Sequence, residues 1–283
     1  MCFFENSIHK LKPGGYYIIE DIQQIQKYLF QTAIEGWKNE YPHLTFEIVD
    51  IPSSKNNIDN VLLVIHYRTN DSPIQIINEK YNTEFTNKLA QNEYLFGEIF
   101  RVCGCKFHKG MGSYLIDGNT YEYCESMYEK QELLYNCAKN VNTVLEIGTY
   151  IGHSLLIMLL ANPNLKITCV DYDATFVPKV VDFLNKCFNN NITFIHSDSF
   201  NAFKMINTKF DLFHIDGTHE NDVITEEYNI CKNYSSYDDM IKVIFDDQEH
   251  MKHLQSVIDD EGNVIKKVIP NCAFENVYYE IKI

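Results

Sequence analysis

The strongest constraint on the fold is a regular alternation of short β-branched runs with longer helical stretches, from about residue 124 to the end of the chain. Such alternation predicts a parallel sheet with helices on both faces, because each crossover between parallel strands needs a helix-sized connection. The predicted strands are residues 143–147, 166–170, 192–196, 210–215, 242–245, 264–269 and 277–283. The predicted helices are residues 123–139, 154–160, 176–188, 200–206 and 221–233. The last two strands form a predicted antiparallel pair, so we expect an α/β domain with a mostly parallel sheet.

Two acidic clusters follow the last two parallel strands. Asp216 and His219 come after one strand, and Asp246 and Asp247 come directly after the next. The carboxyl ends of parallel strands lie at one edge of an open sheet, where such folds bind their ligands. Carboxylate oxygens suit a hard divalent cation such as Mg²⁺, and a neighbouring His is a candidate base. For Asp216 or Asp247 taken singly, capping of the following helix is the alternative.

The loop after the first strand carries the run EIGTYIGHS at residues 146–154. Gly148 and Gly152 allow a sharp turn and a close approach of the backbone to a ligand. A dinucleotide fingerprint would need glycine where Tyr150 and His153 stand, and a P-loop would end in Gly-Lys-Ser/Thr. Neither phosphate-binding motif is present, and the acidic Glu146 in the strand favours a cationic or amine-bearing ligand instead.

Acidic residues also follow the second and third strands. Asp171 is placed to accept hydrogen bonds from ribose hydroxyls, and Asp198 is placed to bind an exocyclic amine. Together with Glu146, they predict a ligand that combines an adenosine with an amino acid and carries no phosphate.

The first 70 residues repeat part of the last third of the chain. Residues 11–23 correspond to 242–248, residues 46–52 to 264–270, and residues 60–65 to 276–281. In the first of these pairs, Glu20 and Asp21 stand where Asp246 and Asp247 stand. We therefore expect a truncated copy in residues 1–70 and a complete domain in residues 123–283. The truncated copy has no glycine turn, so we expect it to bind no cofactor.

Residues 71–122 are predicted to be a linker and hairpin region. Asp117-Gly118 is a typical two-residue hairpin turn. We expect residues 1–70 to extend the sheet, to cover the second domain or to form an oligomer interface, and residues 1–122 to be the region through which a homo-oligomer would form.

Composition excludes several classes of function. The net charge of −15 argues against a nucleic-acid partner, because the chain would repel polyphosphates. No apolar stretch is long enough to span a membrane, and the first 15 residues lack the features of a signal peptide. The nine Cys are scattered, which favours reduced thiols and a cytoplasmic location.

One group of Cys and His residues is a candidate zinc site. It consists of Cys103, Cys105, His108 and Cys124. Its spacing lacks the two-residue knuckle of common structural zinc sites, so buried or loop thiols are the favoured interpretation.

The order of the strand and helix runs in residues 124–283, and the residues they contain, resemble those of the class I S-adenosylmethionine-dependent methyltransferases. The run DGTH at residues 216–219 and the acidic pair Asp246-Asp247 look most like the metal-dependent sugar O-methyltransferases of the macrocin O-methyltransferase type. Cephalosporin hydroxylase-like proteins are a related group. The resemblance implies a Rossmann-like methyltransferase sheet for residues 123–283, and a truncated C-terminal part of such a domain for residues 1–70.

The resemblance also implies S-adenosylmethionine as cofactor, Mg²⁺ as metal ion and His219 as general base. The implied cofactor-binding residues are Glu146, Gly148, Tyr150, Gly152, Ser154, Asp171, Asp198 and Ser199. The implied Mg²⁺ ligands are Asp216, Asp246 and Asp247. The family's acidic pair is commonly Glu-Asp, which Glu20-Asp21 keeps and Asp246-Asp247 does not. The shorter side chain would move the metal by about one bond length.

The resemblance implies methyl transfer to a hydroxyl of a sugar or nucleotide sugar with vicinal hydroxyls. A catechol-like acceptor would satisfy the same metal chemistry. The alternative of a different class is a non-catalytic interaction protein that retains the fold.

Overall fold

The computed structural model describes residues 7–12, 14–41, 44–51, 60–67, 83–104, 128–189, 191–218, 220–246, 252–271 and 276–283. The chain divides into two compact units, residues 1–82 with 90–98 and residues 83–89 with 99–283. We describe each unit by itself.

Both units contain strands and helices in regular succession. The strands are β1 (Tyr16–Ile22), β2 (Leu44–Asp50), β3 (Val61–Tyr67), β4 (Thr143–Ile147), β5 (Lys166–Asp171), β6 (Ile192–His196), β7 (Leu212–Ile215), β8 (Met240–Phe245), β9 (Val264–Val268) and β10 (Val277–Lys282). The helices are α1 (Lys27–Glu40), α2 (Glu84–Cys103), α3 (Tyr128–Lys139), α4 (His153–Ala161), α5 (Val177–Cys187), α6 (Ser199–Met205), α7 (Asn221–Cys231) and α8 (Lys252–Asp260).

The second unit is built on a seven-stranded sheet in the order β6-β5-β4-β7-β8-β10-β9. Strands β4 to β8 are parallel, whereas β10 runs antiparallel to both β8 and β9. The order turns back at β4 and β7, which creates the switch point where open α/β sheets bind ligands. The predicted fold class, a mostly parallel Rossmann-like sheet with an antiparallel last strand, is confirmed.

Burial explains why these segments fold as they do. The four residues of β7 are all buried, as expected for a central parallel strand covered on both faces. Helix α4 is apolar around most of its circumference, and its residues 153–160 are all buried, as expected of a helix in the interior of a domain. Aromatic side chains join the strands to the helices, with Tyr228 of α7 and Tyr279 of β10 both packing edge-on against Phe245.

The first unit contains a three-stranded antiparallel sheet in the order β1-β3-β2. Its chain runs strand, helix, strand, strand, and the last strand pairs between the other two. The segment from β8 to β10 shows the same succession and the same order, with β10 between β8 and β9. Its core includes Trp37, Tyr41, Leu63 and Ile65. The two acidic pairs differ in position, since Glu20 and Asp21 are exposed within β1 while Asp246 is buried just after β8.

Helix α2 lies inside the region predicted as a linker. Thr83 begins it, because the Thr83 hydroxyl accepts a hydrogen bond from the Thr86 backbone N–H, and Gly104 ends it in the left-handed conformation with φ +67°. The helix was not predicted, although its buried Phe85, Leu89, Phe96 and Phe100 recur at helical spacing on both sides of Asn92, where the backbone angles are non-helical.

The other features predicted in residues 71–122 lie mostly outside the described residues. The Asp117-Gly118 hairpin lies outside the described residues. Of the zinc candidates, Cys103 is buried in α2, and Cys105, His108 and Cys124 lie outside the described part. None of the helices within the described ranges is both long enough and apolar enough to cross a membrane.

Candidate functional site

Four parallel strands of the second unit end in one row. Sheet register aligns Ile147 of β4 with Val170 of β5 and with Ile215 of β7, and aligns Ile215 with Phe245 of β8. The residues that follow in these strands are Asp171, Gly148, Asp216 and Asp246, in spatial order across the sheet. Two of the predicted cofactor residues and two of the predicted metal ligands therefore lie side by side at one edge.

The two glycines of the loop are required by its backbone geometry. Gly148 has φ +83°, and a methyl group there would overlap the backbone of Asp216 and come within 2.7 Å of the Gly217 Cα. Gly152 has φ +72°, and its added methyl group would lie 2.5 Å from Val180 Cγ1. Close packing of the loop against the ends of β7 and α5 therefore explains both glycines without a ligand.

Asp171 holds the loop in this conformation. Its Oδ2 accepts hydrogen bonds from the backbone N–H groups of Thr149 and Tyr150, at 2.9 and 2.8 Å. Tyr150 itself has φ +49°, a left-handed conformation that is uncommon for a bulky residue. Two charge-assisted hydrogen bonds offset the cost of this strained residue.

The other oxygen of Asp171 retains capacity for a ligand. Its Oδ1 accepts one hydrogen bond, from the backbone N–H of Asp173 at 2.9 Å, and a carboxylate oxygen has about two lone-pair sites. The residue that follows, Tyr172, is 81% exposed. The predicted ribose contact of Asp171 stays a prediction that this geometry permits.

Glu146 is fully buried beneath the loop. One of its oxygens accepts a hydrogen bond from the Thr149 hydroxyl at 2.9 Å, and the other lies 3.0 Å from His214 Nδ1. Glu146 therefore connects the loop to β7, and its predicted contact with an amine of the cofactor stays a prediction.

An acidic cluster lies beside the loop, at the ends of β7 and β8. One ring nitrogen of His214 and one carboxylate oxygen each of Asp216 and Asp246 all lie within 4.8 Å of one another. Burial and the negative charge of Asp246 raise the pKa of Asp216 well above its ordinary value. A hydrogen bond between the Asp216 and Asp246 carboxyl groups also contributes to this rise in pKa.

Asp246 is kept ionised by a cation of the protein. Burial alone would raise its pKa, but the Lys130 ammonium, His214 and the hydrogen bonds from Lys130 and Asp216 lower it overall. Lys130 Nζ, from the first turn of α3, lies 2.5 Å from Asp246 Oδ1. The side chains of Lys130 and Asp246 are only 7% and 3% exposed, respectively.

The donor set of this cluster fits a divalent cation. Two carboxyl groups and an imidazole are ligands for Mg²⁺ or for a transition metal. Burial, and then the charge of Asp246, raise the pKa of Asp216 and so disfavour its ionised form, and a bound cation would favour that form. The other residues predicted here, Asp247 and His219, lie outside the described residues.

The predicted cofactor residues that follow the third strand, and the one on α4, lie at the starts of helices. Asp198 is the N-cap of α6, where it accepts hydrogen bonds from the Asn201 backbone N–H and side-chain amide. Ser199 is half-buried in the first turn of α6, and Ser154 is buried in the first turn of α4. Their predicted contacts with the cofactor stay predictions. His153 is buried against the ring of Phe100.

Sequence analysis missed three residues that the structure brings to this edge. His214 shares a strand face with Asp216, because alternate residues of a strand point the same way, and this signal was available in the sequence. Tyr172 was available as an aromatic residue next to Asp171. Lys130 carries no local signal, since it is 116 residues away from Asp246.

Part of the second unit is similar to known proteins in sequence and in fold. Residues 145–248 match the sequence profile of a family described as a methyltransferase domain, and a search of curated proteins finds no significant match. The O-methyltransferase TomG from Streptomyces achromogenes, involved in tomaymycin synthesis and solved with SAM, superposes with a TM-score of 0.51 at 10% identity, over 73% of this chain and 99% of that one. Cofactor-bound Rv0187 from MTB gives a TM-score of 0.50 at 12% identity, over 66% and 89%. Residues 145–248 are therefore similar to a methyltransferase domain, and the second unit has the fold of these solved structures.

Proposed function

We propose that this chain is an S-adenosylmethionine-dependent O-methyltransferase acting on a hydroxyl of a sugar or nucleotide sugar that has vicinal hydroxyls. The observation that carries the proposal is the contact between the glycine loop and the acidic cluster. The Asp216 backbone N–H donates to the Ile147 carbonyl at 2.8 Å, and Gly148 packs on the Asp216 backbone. A methyl donor on the loop and an acceptor at the cluster would therefore be neighbours.

The glycine loop and the end of β5 supply the cofactor site of this proposal. S-adenosylmethionine provides an activated methyl group on a sulfonium. Asp171 Oδ1 is left to accept from a ribose hydroxyl, and the exposed ring of Tyr172 offers a face for the adenine. TomG, which has this fold, was solved with SAM.

The acidic cluster supplies the acceptor site. Asp216 and Asp246, with Asp247, would hold a Mg²⁺ ion, which lowers the pKa of a bound hydroxyl and orients it. His219 is three residues after Asp216 and would take the proton of the attacking hydroxyl near neutral pH. The rest of the catalysis would be positioning of the two reactants.

Cofactor binding is the first test. Wild-type protein should bind S-adenosylmethionine and S-adenosylhomocysteine with micromolar affinity in a calorimetric titration, and Asp171→Asn should lose most of that affinity. Asp182→Asn is the matched control, because Asp182 is an exposed carboxylate in a surface ion pair with Lys186. Absence of binding by the wild type would contradict the proposal and favour the non-catalytic alternative.

The acceptor and the metal are tested together. Methyl transfer to a panel of nucleotide sugars should require Mg²⁺ and should be lost in Asp216→Asn. His219→Ala should lose turnover while retaining affinity for S-adenosylhomocysteine. Transfer to catechols but not to sugars would select the other acceptor class, and full activity in chelator would remove the metal from the proposal.

A further inference from the structure

Lys130 and Asp246 form a buried ion pair inside the acidic cluster. The ammonium lies 2.5 Å from Asp246 Oδ1, and both side chains are almost completely shielded from solvent. The pair joins the first turn of α3 to the end of β8, two elements far apart in sequence. Both belong to the second unit.

The position of this ammonium matters because it neutralises the carboxylate that a metal would need. A divalent cation bound to Asp246 would come within a few ångströms of Lys130 Nζ, and repulsion between these two charges is strong where water is excluded. The Asp246 carboxylate has enough lone pairs to contact both cations. Sharing the carboxylate would nevertheless leave the repulsion between the two cations in place. The ammonium and the metal are therefore alternatives.

We propose that Lys130 is the resident counter-ion of Asp246, and that a divalent cation binds the cluster only by displacing it. Lys130 then sets the metal affinity of the site. The proposal rests on the proposed function, because it assigns the metal to the same cluster. The four-carbon stem of a lysine allows its head group to swing away without movement of the helix.

Binding of Mn²⁺ to the full chain, followed by electron paramagnetic resonance at constant pH, tests this proposal. With the ammonium on Asp246 in nine of ten molecules, only about one tenth of the protein is free to bind a metal, and the apparent affinity is about tenfold weaker. Lys130→Met should therefore bind Mn²⁺ at least about tenfold more tightly. Lys139→Met is the matched control on the same helix. Its ammonium pairs with Glu84 at the surface, so its removal should leave the affinity unchanged.

A second set of variants separates an effect on metal affinity from an effect on folding. Without metal, Lys130→Met leaves Asp246 buried without a counter-ion, so its thermal unfolding temperature in chelator should fall. The double variant Lys130→Met/Asp246→Asn should recover most of that loss. Lys130→Gln removes the charge but keeps a hydrogen-bond donor, and should also bind Mn²⁺ about tenfold more tightly.

Three results would overturn the proposal. They are equal or weaker Mn²⁺ affinity in both Lys130 variants, no binding of Mn²⁺ by any of the proteins, and no recovery of stability in the double variant. Titration with S-adenosylhomocysteine in chelator separates this outcome from failure of the proposed function. A protein that binds S-adenosylhomocysteine but shows no effect of Lys130 on Mn²⁺ remains a candidate methyltransferase.

Discussion

At Gly148 the backbone has φ +83°, and a side chain would overlap the backbone of Asp216, directly after β7. Gly148→Ala should therefore destabilise the protein by several kcal/mol more than the about 1–2 kcal/mol expected for a left-handed alanine. Gly262→Ala is the matched control, because Gly262 has φ +68° with nothing within 4 Å of the added methyl group. Urea denaturation measures both free energies of unfolding, and equal losses would show that the loop is not packed on Asp216.

His153 makes stability depend on pH. Burial lowers its pKa from 6.5 to about 3, so the unfolded chain takes up a proton near pH 6.5 while the folded protein stays neutral until about pH 3. Lowering the pH through this window favours unfolding. Between pH 7 and pH 5 the wild type should lose about 2 kcal/mol more than His153→Leu.

Urea denaturation at the two pH values measures this difference. His196→Leu, which removes an exposed imidazole, is the control and should lose as much stability as the wild type. Parallel pH dependence in the wild type and His153→Leu would contradict a neutral buried His153.

At the scale of an element, variants of Asp198 separate its role as a helix cap from its predicted role in cofactor binding. As the N-cap of α6, its change to Ala should cost about 1 kcal/mol of stability, and its change to Ser should cost much less because Ser also caps. Affinity for S-adenosylhomocysteine decides the second role. If both variants lose affinity to the same extent, Asp198 contacts the cofactor in addition to capping the helix.

The elements themselves differ in how well local sequence predicts them. Strands β4 and β6 have the predicted ends, because β-branched runs bounded by polar residues are unambiguous. Helix α2 was missed, although Phe85, Leu89, Phe96 and Phe100 continue one helical repeat across the kink at Asn92. This signal was therefore available in the sequence.

At the scale of the molecule, each unit has its own core. The first is built around Trp37 and the strands β1 to β3, while the glycine loop, Asp171 and the acidic cluster all belong to the second unit. A chain of residues 83–283 should therefore bind S-adenosylhomocysteine as the full chain does, within about twofold. Calorimetry measures this affinity, and a large loss would show that the first unit contributes to the site. Self-association through residues 1–122 stays a prediction.

The fold class, and the sheet edge that carries the candidate site, follow from the pattern of residues along the chain. Periodic burial sets strands and helices locally, and parallel strands place their carboxyl ends together, so Asp171, Asp216 and Asp246 were predictable from their positions along the chain. Which charged side chains come into contact depends on the three-dimensional packing. Lys130 reaches Asp246 across 116 residues of sequence, and Gly148 contacts the backbone of Asp216. Such contacts depend on how helices dock onto the sheet, because no local pattern encodes a partner so distant in the chain.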